Sequence, residues 1–228
     1  EQPVSQEQLK TIIEAAVRAP NASNRQSYSI IAVTNQDKIK RHIGFKAPLA
    51  LIFCVDYTRV IDTAHFLDEN FEVNGVLSFI HGSVDACLAA QNAALAATSL
   101  GLGQMFTNGL HRRPLEDLFQ AFNIPEKYCF PLIALLIGYP DREHSKKKGR
   151  LKDLGILHQE AHQRLDEKQL AELVTYIDNP ANNMAVAVNV PPDIDSYLRW
   201  YFRNWPNKSS REKQEEFLER LKKSGFAL

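Results

Sequence analysis

Two short stretches restrict the fold more than anything else in this chain. Residues 49–55 and 132–137 are almost wholly apolar, and both are far too short to cross a membrane as helices. A strand that sends apolar side chains to both faces of a sheet must be covered on both faces. Each run therefore predicts a central strand with a further layer above and below it, a layered α/β core.

The flanking segments supply the layers. Ser5 followed by Gln8 is a capping-box pattern, and Leu9, Ile12, Ile13, Ala16 and Val17 recur at helical spacing, so a helix opens the sequence and Pro20 ends it. The turn formers of residues 21–26 lead into a β-rich run with Tyr28, Ile30, Ile31 and Val33. Ser83-Val84-Asp85 reads as a helix start, with Ser83 as cap and Asp85 complementing the dipole. Ala86, Ala89, Ala90, Ala93, Ala94, Ala96 and Ala97 follow, and Gly101 and Gly103 stop the helix. On the residues alone, these alanines read first as helix propensity and core packing, and second as a smooth surface for close approach of a helix or a planar ligand. Residues 105–110 read as extended, Pro114 opens a helix through Phe122, and a last helix from Glu212 to Lys223 shows Phe217, Leu218 and Leu221 on one face before Gly225.

Charge and cysteine usage narrow the function classes. With 27 Lys+Arg against 27 Asp+Glu there is no basic excess for binding a nucleic-acid duplex. Cys54, Cys87 and Cys129 are scattered and odd in number, which reads as reduced thiols. The segment Glu1-Gln2-Pro3-Val4-Ser5 lacks a secretory pattern, so the expected location is the cytoplasm, with no membrane partner. Composition changes after Leu165, and Trp200, Tyr201, Phe202 and Trp205 must bury their rings somewhere. Residues 1–165 are expected to form a core, and 166–228 an arm and helix packing on that core or on a partner.

Motif by motif, several chemistries drop out. No dinucleotide fingerprint, P-loop or nucleophile elbow is present. His158 and His162 stand four apart, as two zinc ligands on a helix would, but no third ligand accompanies them and no metal is expected. Asp68, Glu69 and Glu72 read as solvated charge. The basic run of residues 146–150 reads alone as a soluble loop, and its place after a buried strand makes it a phosphate anchor in waiting.

Three segments together resemble the FMN-dependent nitroreductase family, within it the NADPH-dependent nitroreductase and flavin reductase group with a C-terminal arm. They are Ala19-Pro20-Asn21-Ala22-Ser23-Asn24-Arg25-Gln26-Ser27-Tyr28-Ser29; Ala89-Ala90-Gln91-Asn92 through Ser99-Leu100-Gly101-Leu102-Gly103 and on to Phe106-Thr107-Asn108-Gly109-Leu110; and Phe130-Pro131-Leu132 through Gly138-Tyr139-Pro140, with Lys148-Gly149-Arg150-Leu151 where the family commonly has Lys-Pro-Arg-Leu. The ending Lys222-Lys223-Ser224-Gly225-Phe226 is similar too.

The resemblance implies an α+β fold: a nitroreductase-like three-layer sandwich with a central, mostly antiparallel sheet flanked by helices, in an intertwined homodimer with FMN at the subunit interface. It implies hydride transfer from NADPH, or NADH, to nitroaromatics, quinones or free flavin by a ping-pong mechanism. Small-molecule electron acceptors are thus the expected partners. By the same carry-over Asn21, Ser23, Asn24 and Gln26 line the flavin, Phe106, Thr107, Asn108 and Gly109 offer backbone amides near it, Lys148 and Arg150 hold its phosphate, and Arg203, with Arg199 second, meets the NADPH 2′-phosphate. The alanine helix would then serve close packing across the two-fold axis. No catalytic acid, base or nucleophile is demanded, since the cofactor carries the chemistry. A noncatalytic flavin-binding or interaction protein on the same scaffold is the alternative reading.

The sequence departs from the family at three places. The usual Arg/His-Arg-Ser-x-Arg pattern would precede Glu1, Asn21 stands for a serine, and Ile43-Gly44-Phe45-Lys46 stands where a Gly-Gln contact is usual.

Overall fold

The computed structural model describes residues 2–141, 147–186, 190–204 and 211–227. Two compact units form, one from residues 1–141 with 210–228 and the other from 142–209.

The first unit is built on a four-stranded, wholly antiparallel sheet: β1 (Tyr28–Val33), β2 (Leu49–Asp56), β3 (Gly103–Thr107) and β4 (Cys129–Gly138), in the order β1-β2-β4-β3. The two apolar runs are the central strands. Along β2, Leu49, Leu51 and Phe53 enter one core while Ala50, Ile52 and Cys54 enter the other, so every side chain from Leu49 to Val55 is buried. The register slips between Phe53 and Cys54, whose partners are Ile133 and Pro131; the skipped Leu132 is a bulge next to a residue that has no N–H to give the ladder.

Helices α1 (Gln6–Ala16) and α4 (Gly75–Ser99) cover one face; α2 (Gln36–Ile43), α5 (Leu115–Phe122) and α8 (Arg211–Lys223) cover the other, with α3 (Thr58–Phe66) following β2. This is the expected three-layer α+β sandwich. The capping box at Ser5 and Gln8 forms as read, with Gln8 N donating to Ser5 Oγ at 3.1 Å and Ser5 N to Gln8 Oε1 at 2.9 Å. Gly101, at φ +74°, ends α4 with Leu102 N bonded to Ala97 O and Gly101 N to Thr98 O; Gly225 ends α8 in the same way.

The start of α4 differs from expectation. It begins at Gly75, eight residues before Ser83, whose hydroxyl is instead buried mid-helix. Gly82 resembles a break in sequence, yet it is interior because a side chain there would press on Val55 and on Ser27 O, 3.0 Å away: the helix lies close against the sheet. The alanines take the first of the uses read for them, core packing. Ala86, Ala89, Ala90, Ala93, Ala94 and Ala97 all turn inward onto α1 and the sheet. The face left in solvent is apolar, with Val76, Leu77, Ile80, Val84, Leu88 and Leu95 between 39% and 61% exposed. The extended run at 105–110 also shortens: β3 stops at Thr107 and a 3-10 turn takes Gly109–Arg112.

The second unit holds α6 (Glu167–Asp178) and α7 (Tyr197–Asn204), joined where Leu198 N donates to Asp178 Oδ1 at 2.9 Å. His158 and His162 lie in a non-helical stretch, their rings 4.5 Å apart, with Gln163 N donating to His158 Nδ1. Of the aromatic cluster, Phe202 is 77% exposed and Trp205 lies outside the described residues. Among the described residues no helix is long and apolar enough to cross a membrane.

Candidate functional site

Residues 21–27 leave α1 and enter β1 through an unusual backbone. Ser23, Asn24 and Gln26 have φ of +55°, +54° and +53°. For residues with a Cβ each such conformation costs about 1–2 kcal/mol, so the surroundings must hold it. They do so at three points. Asn21 Oδ1 accepts from Gln26 N at 3.0 Å, closing the loop on itself. Arg59 Nη2, from α3, donates to Gln26 O at 2.6 Å. Asp85, from α4, accepts from Ala22 N at 2.9 Å and Ser27 N at 3.2 Å. Asp85 is thus no dipole partner at a helix end; it is a buried carboxylate gripping both ends of a neighbouring loop.

The side chains of Ser23, Asn24 and Gln26 make no hydrogen bond to any described residue, and Ser23 and Asn24 are exposed. A rigid backbone therefore presents a hydroxyl and two carboxamides, groups that both donate and accept, to something outside it.

The second candidate set closes β3. Gly109 N donates to Thr107 Oγ1 at 2.9 Å, and His111 N to Asn108 O at 2.9 Å, making a tight turn. A Cβ at Gly109 would collide with Ile43 O at the end of α2, so glycine is needed for this approach. Gly44, the residue noted against the family's Gly-Gln, is the left-handed cap of α2 at φ +91°. Phe106 and Thr107 are half-buried and Asn108 is exposed. Beside this turn His111 Nε2 lies 2.9 Å from Pro131 O; burial, chiefly, holds its imidazole below the ordinary pKa, with the nearby Lys213 charge adding to the effect against the carbonyl bond.

One chain does not bring these two sets together. Tyr28 pairs with Val55 and Val55 with Phe130, whereas Thr107 pairs with Ala134 in the middle of β4, so the β3 turn heads toward the end of the sheet where β1 begins but starts four residues short of it, about 13 Å. The two sets belong to its opposite edge strands, three interstrand spacings apart, about 14 Å.

Lys148, Arg150 and Arg203 belong to the second unit. The stretch 147–150 runs beside 182–185: Gly149 N donates to Asn183 O at 3.0 Å, Asn183 Nδ2 to Lys147 O at 2.8 Å, and Lys148 Nζ to Ala185 O. A side chain at Gly149 would meet Asn182 O, which accounts for glycine at a position where proline is common in the family it resembles. Arg150 Nη1 reaches its neighbour Gly149 O at 2.8 Å, and Tyr176 OH donates to Arg150 O. Both cationic heads are exposed, a point charge and a planar fork two residues apart; Lys146 of the basic run lies outside the described residues. Arg203 is exposed near the end of α7. A cavity of about 480 Å³ between the 151–165 stretch and α6 is lined by His158 but by none of the residues assigned to flavin or NADPH.

Of the two residues that clamp the loop from outside, the sequence reading takes Asp85 for a dipole partner and passes over Arg59. A lone carboxylate amid alanines on a helix against the sheet was a readable signal for Asp85; Arg59 left none.

Comparison with known proteins gives a consistent answer. A model described as the nitroreductase family matches residues 1–44 and 35–139. The FMN reductase [NAD(P)H] of Bacillus subtilis is 37% identical over 177 residues, covering 73% of this chain and 70% of that protein. The NADPH-flavin oxidoreductase of Vibrio harveyi is 31% identical over 172 residues, 72% of this chain and 69% of that one. Among solved structures, NfrA2 of B. megaterium superposes with a TM-score of 0.80 at 29% identity, covering 100% of this chain and 92% of that chain.

Proposed function

This chain belongs to the nitroreductase family, and from that premise we propose that it is an FMN-dependent oxidoreductase, passing hydride from NADPH or NADH to nitroaromatics, quinones or free flavin in two alternating half-reactions. When bound, FMN supplies the hydride acceptor and donor.

The residues present suit that cofactor. The free hydroxyl and carboxamides of Ser23, Asn24 and Gln26, with Asn21 beside them, match the alternating donors and acceptors of a flavin's pyrimidine edge and ribityl chain. The β3 turn from Phe106 through Thr107 and Asn108 to Gly109 brings backbone groups to the ring. Lys148 and Arg150 suit a phosphate dianion, each charge-assisted bond contributing about 1.5–3 kcal/mol. Arg203 is assigned to the 2′-phosphate of NADPH. These groups bind and orient, and the assignment leaves none of them a proton to move.

The observation that carries the reading furthest is the separation of the loop 21–27 from the β3 turn. A ligand held by both sets would draw each from a different copy, so the working unit is a homodimer. The occupant of the exposed apolar face of α4 is accordingly a second copy of this chain, because a charge-free face of this length fits another like itself. Residues 166–228 are proposed as an arm and a helix packing on a core at 1–165, the helix being α8 on the sheet of the first unit, and free Cys54, Cys87 and Cys129 suit the cytoplasm.

The test is the visible absorbance of the purified protein. We expect the bands of oxidised flavin, bleached by NADPH under anaerobic conditions and restored by a quinone. A colourless protein that neither takes up added FMN nor oxidises NADPH would overturn the assignment.

A further inference from the structure

We propose that Asp85 is a positioning residue for the flavin: by fixing the backbone of residues 22–27 it sets how Ser23, Asn24 and Gln26 meet the ring, without touching the ring itself. The inference rests on the reading that this loop holds flavin.

Asp85 is 1% exposed. A buried carboxylate is unfavourable unless charge-assisted bonds replace its water, and here each oxygen takes one backbone N–H, Oδ1 from Ala22 and Oδ2 from Ser27. These donors are five residues apart and bracket all three left-handed residues, so one rigid helix residue defines the span of the loop. Neither of the other two anchors can do this. Asn21 belongs to the loop it closes, and Arg59 reaches the Gln26 carbonyl from an exposed position.

The surroundings point the same way. A helix position needed only for packing would carry alanine, as 86, 89, 90 and 93 do on this face. Instead Asp85 meets the start of β1, where the hydroxyls of Ser27 and Tyr28 are buried without partners among the described residues. Burial, and then the Asp85 charge, holds the Tyr28 phenol above its ordinary pKa, so the two groups share one poorly screened environment. A carboxylate was placed in an otherwise alanine-lined wall where its one geometric output is the shape of the loop.

The experiment measures FMN and riboflavin affinities by fluorescence quenching for the full chain carrying Asp85→Asn, Asp85→Glu, Asn24→Ala with Gln26→Ala, or Lys148→Ala with Arg150→Ala. Each is read well below its own melting temperature, with the visible circular dichroism of the bound flavin. Asp85→Asn turns an acceptor into a donor facing an N–H, and Asp85→Glu pushes one bond out of register. Both should weaken FMN and riboflavin by the same factor, tenfold or more, and change the flavin dichroism, because the loop grips the part the two ligands share. The Lys148/Arg150 pair should weaken FMN alone. A merely structural Asp85 would lower the melting temperature and leave both affinities and the dichroism of folded protein unchanged, which overturns the proposal while the Asn24/Gln26 variant still loses both flavins. Unchanged affinities in the Asn24/Gln26 variant would remove the loop reading itself, and the proposal with it. Should Asp85→Asn fail to fold, Asp85→Glu decides by the same criteria.

Discussion

Gln26, which leads into β1, and Thr107, which ends β3, belong to opposite edges of the sheet, with β2 and β4 between them and Thr107 facing the middle of β4. Strand order, fixed by long-range pairing, thus decides how a site can be assembled. In the dimer proposed above, two sets of residues separated by the width of a buried sheet would become one site with a second copy supplying one of them.

The outer face of α4 should therefore govern both assembly and cofactor. Replacing Val84 with Glu and Leu95 with Lys puts charges into a face that is now apolar, and desolvating them on association would cost several kcal/mol. Sedimentation velocity should report single chains, and FMN should be lost with the dimer. A dimer that persists would move the interface elsewhere.

Lys148 and Arg150 should act on the phosphate alone. Losing both removes two charge-assisted bonds, about 3–6 kcal/mol together, from FMN binding, while riboflavin, which has no phosphate, should bind as before. Titration of the double alanine variant with both ligands checks this.

Gly109 should tolerate no side chain. Its missing Cβ points at the Ile43 carbonyl, part of a backbone that cannot turn aside as a side chain can. Gly109→Ala should destabilise the protein by about 1–3 kcal/mol in urea unfolding and displace the β3 turn, weakening flavin binding as well.

Acid should weaken the fold through His111. Its folded pKa lies below the ordinary 6.5, mainly through burial, so the unfolded chain binds the proton first as pH falls. Stability is full above about pH 6.5, declines from there toward the folded value, and levels off below it. His42, lowered chiefly by burial too, acts in the same direction. Urea midpoints between about pH 7.5 and 5.5 should show the decline, and His111→Gln should flatten it.

What the amino-acid order reveals follows physical range. β2 and β4 are legible because burial on two faces leaves an unbroken apolar run, and the α1 cap because Ser5 and Gln8 are three residues apart. The start of α4 is illegible because Asn74 makes no side-chain cap and Gly82, which imitates a break, answers to a strand far away in sequence. The loop residues 21–26 are marked by their composition, but their clamp is not: Asp85 and Arg59 reach them across 58 and 33 residues. Nor does any local pattern say that the loop and the β3 turn end on opposite edges, since strand order is set by pairings between distant segments.

Complementation between two defective chains tests the two-copy site most directly. One chain carries Asn24→Ala with Gln26→Ala, the other carries Asn108→Trp to block the β3 turn, and differently tagged copies are purified as mixed dimers. If each flavin takes its loop from one copy and its turn from the other, one site in the mixed dimer has both defects and the other has none. The account predicts one tightly bound FMN per mixed dimer and about half the NADPH oxidation of the unmutated dimer, where each parent alone shows little of either. Mixed dimers as poor in flavin as their parents would contradict it.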